Sequence, residues 1–504
     1  MERVALIDLG SNTARLVIYD VLDGGYFNVV DDERELVRLG DIDEDGNLKQ
    51  TRILQAIDTL KSFKKICSVY NADKVIAIAT AAVRRAKNQK TFLNDVFNAT
   101  GIRFKVITEE EEPHYVYQGV INSMDIPRGL IMEFGGGSTK IIYYNRRVVL
   151  RTHIFDFGGV NLMEQFGKSG KSNEDIADDM VQYVKSRLGE VAWLKELDPD
   201  TQFIGVGGSF RNLARICRKV TRYPLDMIHN YKMKVEDFDY VYNMIKGLDL
   251  EKKTKIKGLS STRADIFPGA LAAIKAIVEY CNFDTITSSG SGIREGIIFN
   301  YACPQTLEKP ISDVVGHSIY SYLKKLNLDE VHAEQVYNLC VQLFKQLRVL
   351  HKFPRAYVKV LRIASLMSDV GKCVKFYNNP KHTAYFLLNS NLYGASHRDI
   401  VLASFITAVY DKEEINFNDW ASKYSAVLSE EDVQAVKKLA MILRLALAFD
   451  KSRASVVPEI TCEVLGDSVI MKTELSGDAM LEIKDAVSLS LDFKRVFKKN
   501  LEIL

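Results

Sequence analysis

Asp8 ends an apolar run, Val4, Ala5, Leu6 and Ile7, and is followed by a small polar turn of Gly10, Ser11, Asn12 and Thr13. Glycine permits a backbone that other residues resist, and the N–H groups and hydroxyls of such a turn can face an anion. A carboxylate beside an anion-sized nest points to a metal-assisted phosphate site. The device recurs at Glu133, which ends a second apolar run and precedes Gly135, Gly136, Gly137, Ser138 and Thr139. A third turn, with Gly207, Gly208 and Ser209, follows Phe203 and Ile204. Any one of these turns, taken singly, is better explained as an ordinary glycine hairpin. Together, in this order and spacing, they favour phosphate.

Such turns need strands to hold them. Residues 4–7 and 16–18 read as the arms of one hairpin, and residues 129–133 and 141–144 as the arms of another. Two hairpins of one design imply two similar half-domains facing each other across a cleft. Residues 51–70 carry apolar positions at helical spacing, and residues 75–79 form a buried strand that runs into Thr80 and Arg84. Residues 104–107 lead into Thr108, Glu109, Glu110, Glu111, Glu112 and Pro113. Thr108 can cap a helix there, the acids favour its N-terminus, and proline is tolerated in a first turn. Four glutamates at a helix start therefore need no catalytic role. The acid-rich stretch 41–46 lacks the ligand ladder of a calcium loop and reads as a solvated turn.

The segments Asp8-Leu-Gly-Ser-Asn-Thr-Ala-Arg15 and Phe134-Gly-Gly-Gly-Ser-Thr139 resemble the phosphate-binding loops of the exopolyphosphatase/guanosine pentaphosphate phosphatase family, within the actin, sugar kinase and heat-shock chaperone superfamily. Residues 288–296, with Arg294, Glu295 and Gly296, resemble that family's closing motif. The resemblance covers essentially the whole chain and is looser in the C-terminal part. It implies an α/β protein with two actin-like (ribonuclease H-like) half-domains around a cleft, at 1–125 and 126–305. An α-helical HD-like domain at 306–452 and a small α+β domain at 453–504 would follow.

The resemblance also implies an activity: hydrolysis of the terminal phosphate of inorganic polyphosphate, with guanosine pentaphosphate as the alternative substrate. Glu112 becomes the candidate general base. Glu111 is the fallback, because Glu109, Pro113 and His114 depart from the family pattern. Arg84 is expected in the cleft as a phosphate contact, with Arg15 nearby. The three glycine turns, at 10–13, 135–139 and 207–209, would hold phosphates, and Mg²⁺ would be carried by Asp8 and Glu133. Two positions depart from the family. Glu133 stands where Asp is usual, and Lys140 where an acid is usual. Lys140 either weakens magnesium binding or neutralises phosphate directly. Arg294 and Glu295 are expected to form an interdomain ion pair. A weakly active polyphosphate- or nucleotide-binding regulator and a sugar or carboxylate kinase are the competing classes. A homodimer is the family expectation.

Composition narrows the field. The chain has 504 residues, 47% hydrophobic and 26% charged, with a net charge of +2. That charge gives no general reason to expect nucleic acid as a partner, though a polyanionic substrate needs a local basic surface. The seven cysteines form no paired motif, which favours a reducing cytoplasm over a disulfide framework. No basic-then-apolar leader opens the chain, and no run is long enough to span a membrane.

After residue 312 helical patterns dominate, at 319–326, 333–353, 356–367 and 398–410. Residues 367–372 and 380–385 resemble an HD phosphohydrolase domain, but Ser368 replaces the name-giving histidine and Asp411 stands where a histidine is common. Asp369 and His382 remain as candidate ligands, and a two-metal centre needs several His and Asp together. A helical scaffold without catalytic metal is expected, lengthening the cleft so that a long chain stays bound between cleavages. Residues 459–465, 468–473 and 480–483 read as strands. The basic segment 493–499 reads as a solvated helix face or as part of a polyanion-binding surface.

Overall fold

The computed structural model describes residues 1–307, 309–410 and 417–504. The chain divides into two compact units, one of Met1–Tyr223 with Met227–Val314, the other of Pro224–Asp226 with Val315–Leu504.

The first unit holds two sheets of one design. The first half contributes β1 (Glu2–Leu9), β2 (Thr13–Leu22), β3 (Tyr26–Leu36), α1 (Gln50–Val69), β4 (Lys74–Ala79), α2 (Ala81–Arg85), α3 (Gln89–Thr100), β5 (Lys105–Val106) and α4 (Glu111–Ile121). The second contributes β6 (Arg128–Phe134), β7 (Thr139–Asn145), β8 (Val148–Phe155), α5 (Gly159–Phe166), α6 (Asn173–Gly189), β9 (Gln202–Val206) and α7 (Gly208–Val220). It continues through β10 (Tyr231–Lys234), α8 (Val235–Lys246), α9 (Leu250–Thr254), α10 (Phe267–Cys281), β11 (Thr285–Ser288) and α11 (Ile293–Ala302). The first sheet runs β3-β2-β1-β4-β5. The second repeats that order as β8-β7-β6-β9-β11 and adds β10 at its edge. In each, an antiparallel three-strand meander joins parallel strands. This is the actin-like α/β arrangement expected. Val4, Ala5, Leu6 and Ile7 are all fully buried, as an unbroken apolar run in an inner strand must be.

Two helices pack outside their own half. α4 lays Val116, Val120 and Ile121 against Ile131, Ile142 and Ile204 of the second sheet. α11 returns to the first sheet, where Phe299 meets Phe27 with ring centroids 4.9 Å apart. The helices touch backbone to backbone at two glycines. A Cβ on Gly119 would lie 2.0 Å from the Gly292 carbonyl oxygen, and one on Gly296 would lie 1.9 Å from that of Tyr115. Only glycine allows this approach.

The second unit is mainly helical, with helices at Val314–Lys325, Glu330–Gln346, Tyr357–Leu366, Asn379–Asn389, His397–Val409, Phe417–Lys423 and Glu430–Ala448. A three-stranded sheet follows, with Ser468–Glu474 between Glu459–Leu465 and Asn500–Ile503. The strand expected at 480–483 is a helix, Met480–Ser488. Its buried positions, Glu482 and Ala486, with Ala479 and Leu489 flanking its ends, follow a helical period, which the short window 480–483 conceals. Lys372 holds the Asp369 carboxylate at 2.7 Å, and Arg453 pairs with it too. His382 is half-buried. Asp411 lies outside the described residues. No helix among the described residues is long and apolar enough to cross a membrane.

Candidate active site

The two leading glycine turns are built alike. The Gly10 N–H donates to the Thr13 carbonyl at 3.1 Å, and the Gly135 N–H to the Ser138 carbonyl at 3.0 Å. Each turn closes a hairpin whose inner strand ends in an acid. The turns come close together, because a Cβ on Gly136 would lie 3.8 Å from that of Ser11. Gly207 has φ +102°, a conformation other residues resist, and α7 starts immediately after it. These turns line one cavity of about 460 Å³ together with Asp8, Arg15, Glu112, Glu133 and Lys140.

Three expected phosphate contacts lie elsewhere. Thr139 is fully buried and its hydroxyl donates to the Phe157 carbonyl at 2.8 Å. Ser209 is buried in the first turn of α7. Arg84 sits behind the cavity wall, donating to the Ile107 carbonyl at 2.9 Å and to Glu112 Oε2 at 3.1 Å. The geometry makes it a partner of Glu112 rather than part of the cavity lining.

Glu112 stands in the first turn of α4. Thr108 and Glu111 fix that turn by a reciprocal pair of hydrogen bonds, 3.1 Å from the Glu111 N–H to the Thr108 hydroxyl and 3.0 Å from the Thr108 N–H to the Glu111 carboxylate. This occupies Glu111, which Lys105 also holds at 2.6 Å, and leaves Glu112 facing the cavity. Burial raises the Glu112 pKa, but Lys140 and Arg84 outweigh it and hold the carboxyl below the usual carboxylate range. Burial pulls the Lys140 ammonium down, while Glu133 and Glu112 more than restore it, so it stays charged. Lys140 Nζ lies 2.7 Å from Glu112 Oε1 and 2.9 Å from Glu133 Oε2, the second contact being out of line for a hydrogen bond.

Asp8 is different. Burial pushes its carboxyl up to about 6, against the pull of Arg294 and Arg15. Arg294 Nε lies 3.9 Å from Asp8 Oδ2. Arg294 therefore faces the cavity. Glu295, its expected ion-pair partner, instead accepts the Gly292 N–H at 2.7 Å and caps α11.

Magnesium was expected on Asp8 and Glu133. No group of three or more His, Cys, Asp or Glu among the described residues is placed to hold a metal ion. Glu133 faces an ammonium, which does not fit a magnesium ligand. Asp8 alone remains open to an ion arriving with phosphates.

Five further arginines line the cavity, Arg34, Arg38, Arg211, Arg215 and Arg263. Arg211 and Arg215 are one helical turn apart on α7, behind the third glycine turn, which is the spacing that could have revealed them. Arg263 lies against Gly208, where a Cβ would come within 2.3 Å of its Cζ. The guanidiniums crowd one another. Burial and the charges of Arg294 and Arg15 push the Arg211 pKa down, and burial with Arg34 and Arg15 does the same to Arg263. Crowded guanidiniums of this kind are relieved by an anion with several charges.

Comparison with known proteins agrees with this geometry. Residues 17–303 match the Ppx/GppA phosphatase family, and residues 315–494 match Ppx/GppA phosphatase, domain III. The chain is 24% identical over 481 residues to a guanosine-5'-triphosphate,3'-diphosphate pyrophosphatase of Aeromonas hydrophila, spanning 93% of this chain and 91% of that protein. A Vibrio vulnificus protein of the same name is 24% identical over 471 residues, spanning 93% and 91%. Among solved structures, an exopolyphosphatase from Cytophaga hutchinsonii is 26% identical with a TM-score of 0.56, covering 60% of this chain and 98% of that one. The Aquifex aeolicus Ppx/GppA family member is 27% identical with a TM-score of 0.53, covering 60% and 98%. With one family matching most of the first unit, and its third domain matching most of the second, this chain belongs to the Ppx/GppA phosphatase family.

Proposed function

We propose that this phosphatase removes the terminal phosphate of inorganic polyphosphate. The observation that carries the reading is the convergence of seven arginines and three glycine turns on one cavity. A linear polyanion places a charge at every phosphate and can meet many guanidiniums at once. In this reading the N–H groups and hydroxyls of residues 10–13 and 135–138 hold the terminal phosphates. Arg15, Arg211 and Arg294 offset charge on the transferred and leaving groups. Glu112 orients a water for in-line attack. Lys140 and Arg84 each take one of its oxygens, and the remaining lone pairs face the cavity. The water oxygen bonds to the terminal phosphorus, and the bridging P–O bond breaks toward the shortened chain. Glu112 accepts the proton as orthophosphate forms.

Guanosine pentaphosphate is the second reading, favoured by the names of the Aeromonas and Vibrio relatives. Both substrates end in a phosphoanhydride. The deciding experiment measures phosphate release from long-chain polyphosphate and from guanosine pentaphosphate, with and without Mg²⁺, for the native chain and Glu112→Gln. Release from polyphosphate that falls ~10²- to 10⁴-fold in the variant supports the first reading and the base. Release from guanosine pentaphosphate alone replaces it with the second. Binding of both without release makes the protein a regulator.

A further inference from the structure

Lys140 has a counterpart in the other half of the first unit. In the β1–β2 ladder Asp8 lies directly across from Arg15, and in the β6–β7 ladder Glu133 lies directly across from Lys140. Both hairpins thus set a basic side chain opposite the acid near the end of the inner strand. Their surroundings then differ. Arg15 turns to Asp32 at 2.8 Å. Lys140 turns inward, its side chain 3% exposed, and meets a second carboxylate, Glu112, brought by α4.

Two carboxylates converging on one point from different elements make a common seat for a divalent cation. Here a nitrogen holds that point, 2.7 Å from one carboxylate oxygen and 2.9 Å from the other. A magnesium ion requires anionic oxygens drawn in to roughly 2.1 Å. The charges are also already balanced. Glu112, Glu133 and Glu109 carry three negative charges, and Lys140, Arg84 and Arg85 supply three positive ones, Arg84 at 3.1 Å from the other Glu112 oxygen and 3.5 Å from Glu109, and Arg85 at 3.1 Å from Glu109. A divalent ion added here would find no net negative charge and a buried ammonium beside it, with little solvent to screen the repulsion.

We propose that the Lys140 ammonium takes the place of a divalent cation between Glu112 and Glu133, and that this carboxylate pair binds a divalent cation only when Lys140 is removed. Lys140 is a positioning residue in this scheme: it fixes Glu112 and Glu133 relative to each other as a bridging metal would. The metal-binding part of the inference is independent of the substrate. Its consequence for turnover rests on the proposed phosphatase reading.

The test uses Mn²⁺ as the probe, followed by electron paramagnetic resonance on the full chain without substrate. The native chain is expected to hold no Mn²⁺ whose binding depends on Glu133. Lys140→Ala is expected to gain one saturable Mn²⁺ site, and adding Glu133→Gln to that variant removes it again. Lys140→Arg keeps a cation in place and gains no site. Thermal melting gives a second readout: Mn²⁺ raises the Tm of Lys140→Ala by several degrees and leaves the native Tm unchanged. Two results overturn the proposal: a native chain whose Mn²⁺ is released by Glu133→Gln, or a folded Lys140→Ala chain that gains no site. Should Lys140→Ala fail to fold, Lys140→Met, which keeps an unbranched apolar chain without the charge, takes its place in the same comparison. Phosphate release, measured with and without Mg²⁺, tests the consequence for turnover. Its absence from every phosphate substrate under both conditions, with the Mn²⁺ results as expected, refutes the proposed function and leaves the Lys140 assignment standing.

Discussion

At the scale of single residues, two carboxylates of one cavity have opposite electrostatics. Glu112 is held down by Lys140 and Arg84, whereas burial pushes the Asp8 carboxyl up to about 6. A carboxyl whose native pKa is raised binds its proton more tightly in the folded state. The stability it contributes is complete below the unfolded value near 3.8 and is lost as pH rises to about 6. The empty protein therefore carries a penalty from Asp8 at neutral pH. Asp8→Asn is expected to be more stable than the native chain at pH 7 by about 2 kcal/mol, the advantage vanishing near pH 3.5. Urea unfolding at several pH values measures this. Equal stability at pH 7 would mean that Arg294 and Arg15 fully compensate the buried charge.

At the scale of elements, the crossing of α4 and α11 sets the site. Glu112 lies in the first turn of one helix and Arg294 in the first turn of the other. The contact at Gly119 and Gly296 is backbone against backbone, so a methyl group there cannot be relieved by moving a side chain. Gly296→Ala must push the helices apart and shift both site residues. It is expected to cost about 2–3 kcal/mol in urea unfolding and to lower phosphate release. Gly189→Ala, with nothing within 4 Å of the added Cβ, is the control and should gain about 0.5 kcal/mol. The third glycine turn obeys a different rule. At Gly208 the obstruction is the end of the flexible Arg263 side chain. A methyl there would displace a guanidinium from the cavity and leave the fold intact.

At the scale of the molecule, charge and domain organisation lead to separate expectations. The net charge of +2 is small, yet the cavity concentrates seven arginines. Polyphosphate binding should therefore depend on a local cluster rather than on the whole surface. Affinity for long polyphosphate is expected to fall at least tenfold between roughly 50 and 200 mM salt, as polyanion binding with counterion release does. Arg211→Gln and Arg263→Gln should flatten that dependence in a filter or fluorescence binding assay. Every residue that lines the cavity also belongs to the first unit. A fragment of residues 1–314 is thus expected to fold and to release phosphate from short polyphosphate. If the helical unit extends the path of a long substrate, the fragment should release a long chain after fewer cleavages, which gel analysis of partial digests would reveal.

Features that depend on neighbours along the chain are legible in the residues alone. A strand ending in an acid before a glycine turn is legible because the strand, the turn and the acid lie within a dozen residues. The Thr108–Glu111 cap is legible for the same reason, and it explains why Glu112 and not Glu111 reaches the cavity. The repeat of the hairpin foretold two matching sheets. Features that depend on partners far apart in sequence emerge only in the folded chain. Lys140 meets Glu112 across 28 residues, and Arg263 reaches beneath Gly208 from another element. Thr139 and Lys140 are adjacent, yet one hydroxyl is buried against Phe157 and the other side chain points to the cleft. Strand alternation guarantees that the two face opposite ways, but only the packing of the sheet against its helices chooses which faces the substrate. The arginine cluster was hidden for a like reason. Its members come from two strands, a loop, two helices and a short turn, and no local pattern unites them until the two halves close on one cavity.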